Sequence, residues 1–139
     1  MTMAEKRPPR AMVGAGNDEF WQGCARGELL IQKCGKCGHR PWPVVQACEQ
    51  CGADALAFEA VSGKGKLASW CTFERPYYGD LMPVPYDTIL VELDEGPWFI
   101  SNPRGFANTE AELGMPVRVA FLDCEDSHGP FKLPVFEKA

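Results

Sequence analysis

Two short units, Cys34-Gly35-Lys36-Cys37-Gly38 and Cys48-Glu49-Gln50-Cys51-Gly52, constrain this chain more than any other feature. Each presents two thiols on one tight turn, and ten residues separate Cys37 from Cys48. That interval is short for a four-cysteine zinc site, yet two short strands can close within it. Gly38 and Gly52 follow the second cysteine of each pair, where the backbone must turn sharply and a side chain at positive φ would cost energy. The spacing therefore predicts a four-cysteine zinc ribbon with Cys34, Cys37, Cys48 and Cys51 as ligands. Four thiolates fill a tetrahedral shell and leave no position for an activated water, so the zinc is expected to be structural. Four unrelated buried thiols would not duplicate a pattern in this way. A redox pair would sit at a strand-to-helix junction, which neither unit does.

Seven cysteines in 139 residues, an odd number behind a polar start with Pro8 and Pro9, point away from a disulfide framework. The start lacks a leader pattern and no apolar run is long enough to span a bilayer, so the expected location is cytoplasmic with no membrane partner. At 45% hydrophobic and 24% charged, the composition is that of a globular protein with a real core.

Four segments are expected. Residues 1–16 lack apolar periodicity and read as a flexible arm. Residues 17–28 carry polar capping residues, early acids and Gly27 as a stop, which predicts a short helix with Phe20, Trp21 and Cys24 on one side. Residues 29–60 hold the ribbon, between a strand entering Cys34 and another at Leu56 to Val61. Over residues 61–139 the pattern alternates in five strands, Lys66 to Phe73, Thr88 to Leu93, Trp98 to Ser101, Val117 to Leu122 and Phe131 to Phe136. Turn chemistry separates them. The fold class expected is mainly β, a short N-terminal helix and a four-cysteine zinc ribbon followed by a five-stranded OB-fold barrel, with a small sandwich as the alternative.

Chemistry beyond the metal is sparse. Cys24, Cys71 and Cys124 would need a base to act as nucleophiles, and the chain offers only His39 and His128. No Ser-His-Asp set and no phosphate-cradling glycine loop is present, so no catalytic residue is assigned. The long Pro-anchored segment between the first two barrel strands, with Arg75, Tyr77, Tyr78 and Tyr86, has the composition of a binding loop. Lys64 and Lys66 precede it and would add positive charge beside an anionic ligand. A zinc ribbon and an OB barrel also suit a single-stranded nucleic-acid-binding module. Against that stands the stretch from Asp80 to Asp126, where ten acids face two arginines for a net charge of −8.

In order along the chain stand Phe20-Trp21, Gly27 to Cys34, the two cysteine units, Gly63-Lys64-Gly65, Pro85-Tyr86, Ile89 to Pro97, Leu113 to Val119 and Leu133 to Phe136. Taken together, from about Asp18 to Phe136, they resemble the zinc-ribbon plus OB-fold family that accompanies thiolase-superfamily enzymes. The resemblance implies a non-catalytic partner subunit of a thiolase, of a thiolase and HMG-CoA synthase pair, or of a thiolase-like aldolase acting on CoA-linked steroid side chains. It implies a role in lipid metabolism within a hetero-oligomer, with two-plus-two stoichiometry expected. It further implies that the barrel helps hold an acyl-CoA while ribbon and helix help dock the enzyme; from their charge and rings, Lys64, Lys66, Arg75, Tyr77, Tyr78 and Tyr86 are the residues expected to neutralise and stack on it. Family members often carry proline after the third cysteine. Here Glu49 stands there, which leaves zinc binding intact and alters the surface beside it.

Overall fold

The computed structural model describes residues 4–10 and 16–139. Strand β1 (Glu5–Lys6) is followed by helix α1 (Asp18–Ala25), the hairpin β2 (Leu30–Cys34) and β3 (Leu56–Ala60), and five strands. Those five are β4 (Lys64–Phe73), β5 (Tyr86–Leu93), β6 (Trp98–Ser101), β7 (Pro116–Asp126) and β8 (Gly129–Lys138).

The alternation that predicts strands also sets their faces. Leu67, Ile89, Val91, Leu93, Phe99, Val117 and Phe136 point inward and are buried, and alternation is broken in β8, where Pro134 and Val135 beside Phe136 are buried as well. β4 pairs antiparallel with β5, β5 with β6, the start of β4 with β7, and β7 with β8 along its length. Backbone bonds from Phe136 to Asn102 and from Arg104 to Phe136 draw the end of β8 onto the chain after β6. The sheet thereby curls into the five-stranded OB-type barrel that the sequence predicts. Between β6 and β7 lies a 3-10 turn at Asn108–Glu110.

Helix α1 ends as its sequence suggests. Gly27 N–H bonds Cys24 O and Glu28 N–H bonds Gly23 O, both at 2.9 Å, which satisfies the last carbonyls. Gly23 is needed for another reason: a Cβ there would lie 2.5 Å from Leu30 Cγ. The helix can therefore rest directly on β2. Phe20, Cys24, Leu29 and Ile31 join the barrel residues in one continuous buried cluster.

One expectation needs correction. Over residues 4–10 the supposed flexible arm is docked on the barrel; its positions 1–3 and 11–15 lie outside the described residues. β1 adds in parallel to β7, with Glu5 opposite Cys124 and Lys6 opposite Glu125. The Arg10 guanidinium bonds Asp126 and stands 4.5 Å from the Phe131 ring centre. The reason is a matching partner distant in sequence. β4 pairs β7 only near Arg118, so the edge of β7 farther along is open to another strand.

Candidate functional site

The two knuckles form as their sequence requires. Gly38 N–H bonds Cys34 O and Gly52 N–H bonds Cys48 O, at 2.9 and 2.8 Å, and both glycines have positive φ, 80° and 76°. The sulfurs of Cys34, Cys37, Cys48 and Cys51 consequently converge, all within 4.8 Å of one another. Cys34 Sγ and Cys51 Sγ are 3.6 Å apart, and Cys37 Sγ and Cys48 Sγ 3.5 Å. Ligands about 2.3 Å from a tetrahedral zinc would be separated by roughly 3.8 Å, so the donor set fits that ion in kind and spacing.

Electrostatics in the cluster ask for a cation. The backbone N–H groups of Cys37 and Lys36 draw the Cys34 thiol down to about 6, and that of Cys51 leads in lowering Cys48. Cys37 receives a lowering bond from the His39 backbone, but burial and the three neighbouring sulfurs outweigh it and leave that thiol at about 12. Four sulfurs this close cannot all be thiolates unless positive charge stands among them. His39 is not in the set: its Nε2 bonds Glu49 Oε1 at 2.9 Å. Glu49, the departure from the family pattern, thus ties one knuckle to the other.

The other cysteines are differently placed. Burial pushes the Cys24 thiol up to about 12 and the Cys124 thiol up to about 11, which suits packing rather than nucleophilic attack. Cys71 is exposed on β4. His128 lies in the turn between β7 and β8.

The six candidate ligand-binding residues do not form one site. Lys64 and Lys66 begin β4, opposite Arg118 and Glu92, and Arg75 lies just beyond its other end. At about 3.3 Å per residue, the length of β4 puts roughly 30 Å between those ends. Around Arg75 the aromatic residues do assemble. Tyr86 stacks on Phe73 at 4.9 Å, Tyr77 meets the same ring edge-on at 6.3 Å, and Tyr77 and Tyr78 are well exposed. Burial, then Tyr78, Tyr77 and Cys71, raise the Tyr86 phenol, with Arg7 acting in the opposite sense.

Arg7 is a residue that sequence reasoning missed. Its guanidinium donates to Asn102 Oδ1 at 2.9 Å, and Asn102 in turn donates to Asp87 O. Beside it runs a slot of about 250 Å³ between β6 and β8, with Tyr78, Met82 and Trp42 on its walls. The available signal was the pair Arg7 and Arg10 across Pro8-Pro9, complementary in charge to Asp123 to Asp126.

Comparison with known proteins agrees with this anatomy. The family described as the ChsH2 rubredoxin-like zinc ribbon domain matches residues 21–57, and the ChsH2 C-terminal OB-fold domain matches residues 58–122. A DUF35 domain-containing scaffold protein of Pyrococcus furiosus is 33% identical over 102 residues, 72% of this chain and 74% of that protein. A probable enoyl-CoA hydratase alpha subunit of Thermomonospora curvata is 29% identical over 131 residues, 94% of this chain. The chain spans only 40% of that relative's length. Among solved structures, a chain of an Ltp2-ChsH2(DUF35) aldolase superposes with a TM-score of 0.80 at 29% identity, covering 93% of this chain and 98% of that one.

Proposed function

Since the chain belongs to the DUF35 family, with zinc-ribbon and OB-fold domains of the ChsH2 type, we propose that it is a non-catalytic accessory subunit of a thiolase-superfamily enzyme. In this reading it docks on a thiolase, acyltransferase or CoA-linked aldolase, presents acyl-CoA to it, and stabilises the active assembly. The observation that carries the reading is the likeness, over nearly the full length of both chains, to one component of an aldolase.

The parts have separable tasks. Cys34, Cys37, Cys48 and Cys51 would hold Zn²⁺ with every coordination position taken. When bound, the ion supplies rigidity and no activated water. It sets the shape of the ribbon, whose exposed knuckle with His39 and Glu49 lies beside β6 and, with helix α1, forms the docking side. At the other end of β4, Arg75, Tyr77, Tyr78 and Tyr86, joined by Arg7, offer stacking faces and positive charge to a phosphorylated ligand. Lys64 and Lys66 lie too far from that cluster to share it, which also breaks up the basic track that a nucleic acid would need. Two copies of the chain would join an enzyme dimer.

The test is co-expression with thiolase-like candidates encoded beside the chain. A complex should co-purify, with a mass by light scattering that matches two plus two. Acyl-CoA should raise its melting temperature. Separate elution of every candidate, with no thermal shift by acyl-CoA alone or in mixture, would end the reading.

A further inference from the structure

The barrel is not sealed evenly. β6 ends the path of strand pairing, and among the described residues Phe99, Ile100 and Ser101 have no backbone partner besides β5. Such an edge is ordinarily protected by a charge or a proline within the strand. β8 has Pro130 and Pro134; β6, Trp98-Phe99-Ile100-Ser101, has neither device.

The slot lies along this edge. Phe99, Ile100, Ser101 and Asn102 all line it. Side chains of consecutive strand residues point to opposite faces, so the three in a row that belong to β6, Phe99 to Ser101, can border one cavity only if the backbone edge itself faces it. Phe131, Leu133 and Pro134 of β8 form the opposite wall. One end is marked by Arg7, bonded to Asn102, and the other by Trp42, stacked on Phe99 at 4.9 Å.

Volume and chemistry select the occupant. At about 250 Å³ the slot is smaller than ordinary ligand pockets. It suits a thin chain. Its walls are apolar, yet the β6 edge offers amide groups that a plain hydrocarbon could not satisfy. Its Arg7 end carries a guanidinium, held by Asn102 and by the exposed Glu5 at 3.2 Å, beside the exposed Tyr78.

Resting on the acyl-CoA reading above, we infer that the slot receives the pantetheine arm of the thioester, whose two amides pair along β6 while its phosphates lie at the Arg7 end. The arm is linear, carries N–H and C=O groups as a strand does, and is charged at one end only. β6 therefore acts as a strand-pairing edge for a small molecule.

The test uses the zinc-loaded, isotope-labelled full chain, alone and in complex with its thiolase-like subunit, titrated with CoA, pantetheine, adenosine 3′,5′-bisphosphate and octanoate. CoA and pantetheine should shift the amide resonances of Phe99 to Asn102; the bisphosphate and octanoate should not. Met82→Trp, which fills the slot, should abolish both shifts. Arg7→Ala should weaken CoA about tenfold and pantetheine less than twofold, because a charge-assisted contact is lost only to the phosphates. Equal shifts by octanoate would make the slot a plain apolar trap and overturn the inference. Shifts by CoA elsewhere, for instance around Lys64 and Lys66, would overturn it while leaving the acyl-CoA reading intact. If no ligand shifts any resonance in either form, that reading falls and the inference with it.

Discussion

The ribbon and the barrel solve the same problem by opposite means. Between Cys34 and Asp54 only Cys34, Pro41 and Cys48 are buried, so this loop has no apolar core of its own. The barrel buries residues from every one of its five strands, with Val91 and Phe136 wholly inaccessible. One region gathers four thiols around a metal site in place of a core; the other is ordered by removing hydrocarbon from water. Insertion of a metal module into a chain thus requires only a firm base, and the chain entering β2 supplies it through Leu29 and Ile31 in the shared cluster.

Metal removal should break the contrast most visibly. Structural zinc is worth about 10 to 16 kcal/mol in small modules, far above what three buried side chains supply. A chelator, or Cys48→Ser, should collapse the amide dispersion of residues 34–54 while the barrel's β signal in circular dichroism persists. If both regions melt at the same chelator concentration, they are one cooperative unit and the contrast is false.

The reciprocal change is Phe136→Ala. It empties the barrel centre, where the Phe136 and Phe99 ring centres lie 6.0 Å apart. The loss should cost about 3 to 5 kcal/mol in denaturant melts while zinc content stays at one ion per chain. A smaller effect is expected at the joint. Gly23→Ala would press a methyl group into Leu30. That should cost about 1 to 3 kcal/mol and loosen α1 from β2, to be read as lost helix protection in hydrogen exchange.

The smallest global effect concerns the docked N-terminal segment. Burial pushes the Asp126 carboxyl up, but bonds from the Arg10 and His128 backbone and from the Arg10 guanidinium outweigh it and hold it below the ordinary value. A group depressed on folding contributes fully above its unfolded pKa, about 3.9, and loses that contribution as pH falls through the lower folded value. Protection of the Arg7 amide, bonded to Glu125 O, should therefore be lost in acid below about pH 4 while the barrel stays folded. Asp126→Asn should remove that dependence by releasing the segment at neutral pH, with less change in melting temperature than any variant above.

What could be read from the sequence was short in range. The cysteine units, the turn glycines, the helix stop at Gly27 and the alternating strands involve residues within a few positions of one another, so local stereochemistry reports them. The sequence by itself determined the metal module, the fold class and the family. Tertiary structure alone decided that Arg10 meets Asp126, 116 positions away, and that Lys64 and Tyr77 fall at opposite ends of one strand. It also decided that Arg7, Trp42, Ile100 and Leu133 border one slot. These follow from how the sheet closes, and closure depends on twist, register and the packing of α1 across the seam, which are properties of the whole chain.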